Sequence, residues 1–325
     1  MKQPILTRGR SRQSGLIDTI SAGYAAVNRL PWLLLAPILL DLLLWFGPRL
    51  SPGALVAGAL AAPGLDPEMD AASRQMLDES RQATIDVAGG ANLLALLSVP
   101  IARAGVPSAL ALLGGGGLGG EQMLGSWPDA LAVTLAALGA GLVWGGLYRA
   151  GMALQVRQES ASLHRLAREG LIGAGRSALL IGLMLGVAVL AAIPAALLIT
   201  VVGLLSPALA SLLLVILAGL ALWAEVYLFF APDAIFVRRV GPLRAIRDSV
   251  VVVRRAFWSA LGFIVLTTVI LAGMAQVWLL LAGRGPGGMV LAILGNAYVA
   301  SGLAAAAQVF YRDRLPAEAR AAPGD

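Results

Sequence analysis

Apolar residues run along this chain in blocks too long for a soluble core, separated by short polar stretches rich in arginine. A membrane helix needs roughly 17–25 mainly apolar residues, because a hydrocarbon core about 30 Å thick is crossed at about 1.5 Å per residue. Six stretches meet that length, at 31–49, 128–150, 178–204, 207–231, 259–282 and 289–310. Gly203-Leu-Leu-Ser206-Pro207 leaves room only for a tight hairpin between the third and fourth. Gly283-Arg-Gly-Pro-Gly-Gly288 turns the chain between the fifth and sixth. The pattern predicts an all-α polytopic membrane helix bundle with six transmembrane helices.

Two other segments have helical period but only one apolar arc. In 242–258, Leu243, Ile246, Val250, Val253 and Phe257 share one arc, while Arg244, Arg247, Arg254 and Arg255 fall beside them with Asp248. In 14–30, Leu16, Ile17, Ile20, Tyr24 and Val27 share a face, opposed by Asp18, Ala22, Ala25 and Arg29. Such helices lie flat in the membrane interface, apolar arc inward and arginines among headgroups. Arg29, Arg244, Arg247, Arg254 and Arg255 are therefore the candidate lipid-headgroup contacts. A third segment, 158–176 within the polar stretch 151–177, precedes the third span with poorer periodicity. The simplest scheme is three tandem units, each an interfacial elbow helix followed by a two-span hairpin, repeated in parallel.

Between the first two spans lies the one sizeable non-spanning region, 50–127. Met69, Ala72, Met76, Ala83 and Val87 recur at helical spacing and predict an amphipathic helix. The apolar run 92–102, broken by Pro100, is too short to cross and is expected to dip into the interface or pack on the bundle. Gly114 to Gly120 reads as a flexible link; no Lys-Ser/Thr follows it, so a phosphate loop is disfavoured.

Composition narrows the function classes. The chain has 325 residues, 58% hydrophobic and 13% charged. With glycine counted and tyrosine left out the apolar share reaches about 68%, against roughly 45–50% for soluble domains. There is no cysteine, so thiolate chemistry has no residue to use, and with a single histidine, His164, a His-based metal cluster or a catalytic triad is disfavoured. No metal, no cofactor and no enzymatic activity is expected. The net charge of +6 comes from arginines placed beside the apolar blocks. That placement argues for a membrane surface and against nucleic acid as partner.

Arginine placement also predicts orientation. With the N-terminus inside, 19 of the 24 basic residues fall on the inner side; Arg49, Arg74, Arg81, Arg103 and Arg284 fall outside. Both termini, including the tail 311–325, are then cytoplasmic, in a bacterial inner membrane. The polar lead of about 30 residues and Asp41 within the first apolar block argue against a cleaved signal peptide.

Gly241-Pro-Leu-Arg-Ala245-Ile-Arg-Asp-Ser249, then Phe257-Trp258, and Phe310-Tyr311-Arg312-Asp313-Arg314 resemble the YciC-like six-helix integral membrane proteins. That family is related to the membrane domain found with some glycerophosphodiester phosphodiesterases. The resemblance covers roughly the last hundred residues and implies a six-span bundle with no established activity. The long 50–127 segment departs from compact family members, and no barrel domain is present to bring phosphodiesterase chemistry.

Polar groups inside hydrocarbon are costly and mark candidate sites. Asp41 lies about 15 Å from the inner end of the first span, and Glu225 about 9 Å from that of the fourth. Arg149, at a depth comparable to Glu225, is its expected partner; Gln276 and Asn296 are further polar positions in the last hairpin. Gly141/Gly145 and Gly182/Gly186 have the spacing of close helix approach. Two functions stay open. One is a non-catalytic membrane protein whose basic elbows engage anionic lipids and organise or assist lipid or membrane-protein partners. The other is a small transporter or channel using Asp41 and Glu225.

Overall fold

The computed structural model describes residues 15–61, 71–99, 103, 105–112, 118–160 and 162–316. Met69, the arginines before position 15, most of the glycine link and the end of the tail lie outside the described residues. The protein is an all-α polytopic bundle. Among the described residues, five helices are long and apolar enough to cross a membrane, and six if a bent pair counts as one span.

That bent pair is the first elbow. Helix α1 (Leu16–Arg29) meets Pro31–Phe46 at 95°. The corner is Leu30-Pro31: a residue before proline is pushed out of the helical region, and Leu30 sits at φ −133°. Beyond it, a 3-10 turn (Pro31–Leu34) leads into α2 (Leu35–Phe46). Helix α1 buries most of the face its periodicity indicates, Val27 fully and Leu16 and Ile20 partly against the main core, but its buried side is shifted toward small residues. Thr19, Gly23, Ala26 and Val27 are buried, whereas Ile17 is 77% exposed. This small-residue seam packs across α12 (Pro286–Arg314). A Cβ on Gly23 would lie 2.5 Å from the Ala306 nitrogen, and one on Gly302 would strike the Tyr24 ring. Lipid is as apolar as isoleucine, so close backbone approach outranks burying branched side chains.

Outside the spans, β1 (Arg49–Ser51) pairs in parallel with β2 (Glu121–Met123). Helix α3 (Gly53–Leu60) packs on α4 (Ala71–Gly90), the predicted amphipathic helix. Its predicted apolar face is turned outward: Met76 and Val87 are exposed, while Leu77, Arg81, Ile85 and Ala88 are partly covered.

The segment after α4 goes further than an interfacial dip. A 3-10 turn (Leu93–Ser98) lies on α6 (Trp127–Val156), where a Cβ on Gly141 would meet the Leu97 carbonyl oxygen at 2.5 Å. Gly141 thus admits this turn rather than another helix. The chain reaches Arg103 and returns through α5 (Ala109–Leu112) beside α2 and α12. It is a re-entrant segment. Irregular backbone at such depth is tolerated only where protein surrounds it.

Helix α7 (Leu163–Leu205) is one unbroken helix of 43 residues. The third elbow, 158–176, is therefore no elbow: its residues from Leu163 run straight into the third span, and Pro194 does not end the helix. Two of the three expected units have the break, at Leu30 and at Ala256. Gly170 and Gly146 bring α7 against α6, a Cβ on Gly146 falling 2.4 Å from the Gly170 oxygen. Gly182 and Gly186 have nothing within 4 Å of such a Cβ. Buried residues of α7 stop at Ile181, and α8 (Pro207–Leu228) buries none. This hairpin stands apart from the other spans above its base.

The fourth span does not end at 231. After Phe229 and Phe230 the chain continues as α9 (Ala231–Arg238), followed by α10 (Pro242–Arg255) and α11 (Phe257–Ala282). Ser249 of α10 fixes the α8–α9 corner. Its hydroxyl accepts from the Phe230 N–H at 3.1 Å and donates to the Tyr227 carbonyl at 2.7 Å. Phe230 stacks on Phe310 of α12, with Phe263 of α11 beside both, to form the main apolar core.

Candidate functional site

Polar side chains gather in two places: deep in the bundle, and at the arginine-rich end where α6, α7, α9, α10 and α12 converge.

In the bundle, Arg149 is buried on α6 as its depth required, but its partner is Asp233 rather than Glu225. Arg149 Nη1 donates to Asp233 Oδ1 at 3.1 Å, and both side chains are at most 5% exposed. Asp233 lies in the first turn of α9, behind Pro232. It escaped the sequence reading because the fourth apolar block was closed at 231. Proline followed by an acid at a helix start was the available signal. Arg149 also donates through Nη2 to the Arg103 carbonyl, and its own carbonyl accepts from Gln308 Nε2. Arg103 therefore belongs to the re-entrant tip, not to an outer loop, and its guanidinium lies 3.8 Å from the centroid of the Phe229 ring. Arg149 is about 33 Å along α6 from Trp127, so the re-entrant segment penetrates most of that length.

Glu225 is exposed on α8. With α9 included it lies about 20 Å before Arg238, deeper than its sequence placement. Gln276 is exposed on α11 and takes no part in the polar interior, whereas Asn296 is buried on α12. Asp41 is fully buried and tied to α5. Ser108 Oγ donates to Asp41 Oδ1 at 2.5 Å, the Leu110 N–H donates to the same oxygen at 3.2 Å, and the Ala109 N–H donates to Oδ2 at 3.0 Å. One carboxylate thus caps the short helix that closes the re-entrant segment. Tyr148 donates to Ser301 at 2.7 Å, a further buried link missed in the sequence because hydroxyls leave no hydropathy signal.

At the arginine-rich end, Arg157 Nη2 meets Glu169 Oε2 at 2.5 Å and Arg157 Nε meets Glu159 Oε1 at 3.1 Å. Arg239 bridges Glu159 and Glu169 at 2.6 and 2.7 Å, and Arg165 reaches Glu159 at 3.3 Å. Arg239 occupies the left-handed region, φ 57°, at the end of α9. Burial works against its charge, but hydrogen bonds and attraction from Glu169 and then Glu159 outweigh that and raise its pKa. Asp248, placed by sequence among the outward arginines of α10, is instead buried and accepts from Arg238 and Tyr311. Arg244, Arg247, Arg254 and Arg255 are exposed on one arc of α10, and Arg29 is exposed at the end of α1. Trp258, at the start of α11, is 81% exposed beside them.

Beside this network α7 and α9 enclose a cavity of about 620 Å³, lined by Arg165, Arg168, Arg176 and Arg239 with His164, Glu169 and an apolar floor. No family model, no curated protein and no solved structure matches the chain.

Proposed function

We propose that this multi-pass membrane protein is non-catalytic and engages anionic lipids at its arginine-rich end, organising lipids or a membrane-protein partner there. The observation that carries this reading is the exposed arc of Arg244, Arg247, Arg254 and Arg255 on a helix whose opposite face is buried. Four cations on one exposed arc at the end of a membrane bundle suit an anionic surface, and each is worth about 1 kcal/mol near acidic headgroups. Exposed Trp258 supplies the aromatic anchor expected at that level. The same arginine bias supports a bacterial inner membrane with both termini cytoplasmic. Kinship with the YciC-like proteins is in keeping with one meeting of the resembling segments, where Tyr311 donates to Asp248. The test is binding to phosphatidylcholine vesicles with and without phosphatidylglycerol. Changing the four α10 arginines to glutamine should abolish the preference for the anionic vesicles; an unchanged preference in a correctly inserted protein rejects the reading.

A second reading, transport or conduction, is favoured by the re-entrant segment, since irregular backbone inside a bundle lines paths in many carriers. Flux of small ions in proteoliposomes tests it. An Asp41→Asn protein that carries flux at the wild-type rate removes Asp41 from any such path.

A further inference from the structure

We infer that the cavity between the N-terminal turns of α7 and the end of α9 is a binding site for a phosphate-bearing group, with an apolar floor suited to the glycerol and upper acyl part of a lipid. The inference rests on the reading that the arginine-rich end faces the membrane surface, but it concerns different residues from the arc on α10.

Three features carry it. The first is charge: among the described residues, Arg165, Arg168, Arg176 and Arg239 line the cavity and Arg157 lies beside it, against the two acids Glu159 and Glu169. Both glutamates are already engaged by Arg157, Arg165 and Arg239. Arg168 lines the cavity with no hydrogen bond or ion pair among the described residues. Guanidinium groups in this density match the planar, bidentate recognition that phosphate rewards.

The second feature is that the cavity is held open. Arg176 donates to the Arg239 carbonyl and Arg157 to the Phe236 carbonyl, so side-chain hydrogen bonds add to helix packing in fastening the end of α9 to α6 and α7. The third is the floor. Gly173 lets the Phe236 ring lie flat against α7, where a Cβ would come within 2.2 Å of it, and Ile172 and Ile235 complete an apolar base. A volume of about 620 Å³ exceeds a bare phosphate and suits a headgroup with its glycerol. Basic pockets at the surface end of a bundle take headgroups for this reason.

The experiment compares the full chain with the variants Arg165→Gln/Arg168→Gln and Arg168→Glu, in lipid discs of phosphatidylcholine alone or mixed with phosphatidylglycerol. Lipid retained through detergent exchange is identified by native mass spectrometry, and inorganic phosphate is titrated into the phosphatidylcholine discs. Arg168→Glu breaks no described contact, so it keeps the fold as a control for the double variant. We expect wild-type protein to retain phosphatidylglycerol and both pocket variants to lose about tenfold or more of it. The four-arginine α10 variant should still retain it, which separates this site from the outer arc. Phosphate binding from solution without lipid retention, lost in the same variants, would assign the site to a soluble phosphate compound. Retention and phosphate binding both unchanged in the pocket variants overturn the proposal, whatever the α10 variant does.

Discussion

Tyr311, near the end of the last helix, donates its hydroxyl hydrogen to Asp248 on α10 at 3.3 Å, while Arg238 from α9 pairs with the same carboxylate oxygen. Three helices are tied at one buried acid. Hydrogen bonds to charged groups contribute about 1.5–3 kcal/mol each. Tyr311→Phe is therefore expected to lower the unfolding free energy in detergent by roughly 1–2 kcal/mol, and Asp248→Ala by more, because it leaves Arg238 without its carboxylate. Thermal unfolding followed by circular dichroism reads the order; equal melting of the two variants contradicts it.

The Arg149–Asp233 pair allows a sharper test. Removing one member of a buried ion pair costs about 3–5 kcal/mol, whereas replacing both by apolar residues of similar volume is often neutral. Arg149→Met and Asp233→Leu should each destabilise the protein strongly, and the double variant should recover most of the loss. A double variant no better than the singles would mean that Arg149 stabilises chiefly through the Arg103 carbonyl.

For Asp41, accessibility is a better readout than stability. The chain has no cysteine, so Leu110→Cys provides a single thiol beside the carboxylate. In an otherwise wild-type background this thiol should react slowly with a water-soluble maleimide. Asp41→Ala removes the acceptor for three donors and should accelerate labelling by an order of magnitude or more as the re-entrant segment loosens. Unchanged labelling would place the hold on that segment elsewhere.

The crossing of α1 and α12 predicts a contrast among glycines. Gly23→Ala and Gly302→Ala put a methyl group into the Ala306 backbone and the Tyr24 ring, and should cost about 1–3 kcal/mol. Gly182→Ala and Gly186→Ala, where nothing lies within 4 Å, should be neutral or slightly stabilising. Melting temperatures of the four single variants decide.

The spans were legible because hydropathy over some twenty residues integrates a strong signal, and the α10 elbow because arginines and aliphatics alternate there at helical period. What escaped notice has two causes. Periodicity shows which residues are apolar but not where a close neighbour lies, so α1 covers Leu16, Ile20 and Val27 as expected yet leaves Ile17 exposed and buries Gly23. Residues that act across long separations leave no local trace: Asp233 meets Arg149 where α9 packs on α6, and Arg149 meets the Arg103 carbonyl only because of the re-entrant path. The 158–176 segment had weak periodicity, and it is the expected elbow that does not bend.

The bare α7–α8 hairpin carries one more consequence. Its apolar stretch in α7, 178–204, is about 40 Å long, against a hydrocarbon core of about 30 Å. Beyond Ile181 and Met184 the described residues give it little support from other spans, so leaning is one way open to it to take up the excess length, more so as a bilayer thins. Its base is the Phe229–Phe230 corner, and Phe229 is the ring on which Arg103 rests. The residues at the foot of this hairpin are therefore the ones that join its lean to the tip of the re-entrant segment.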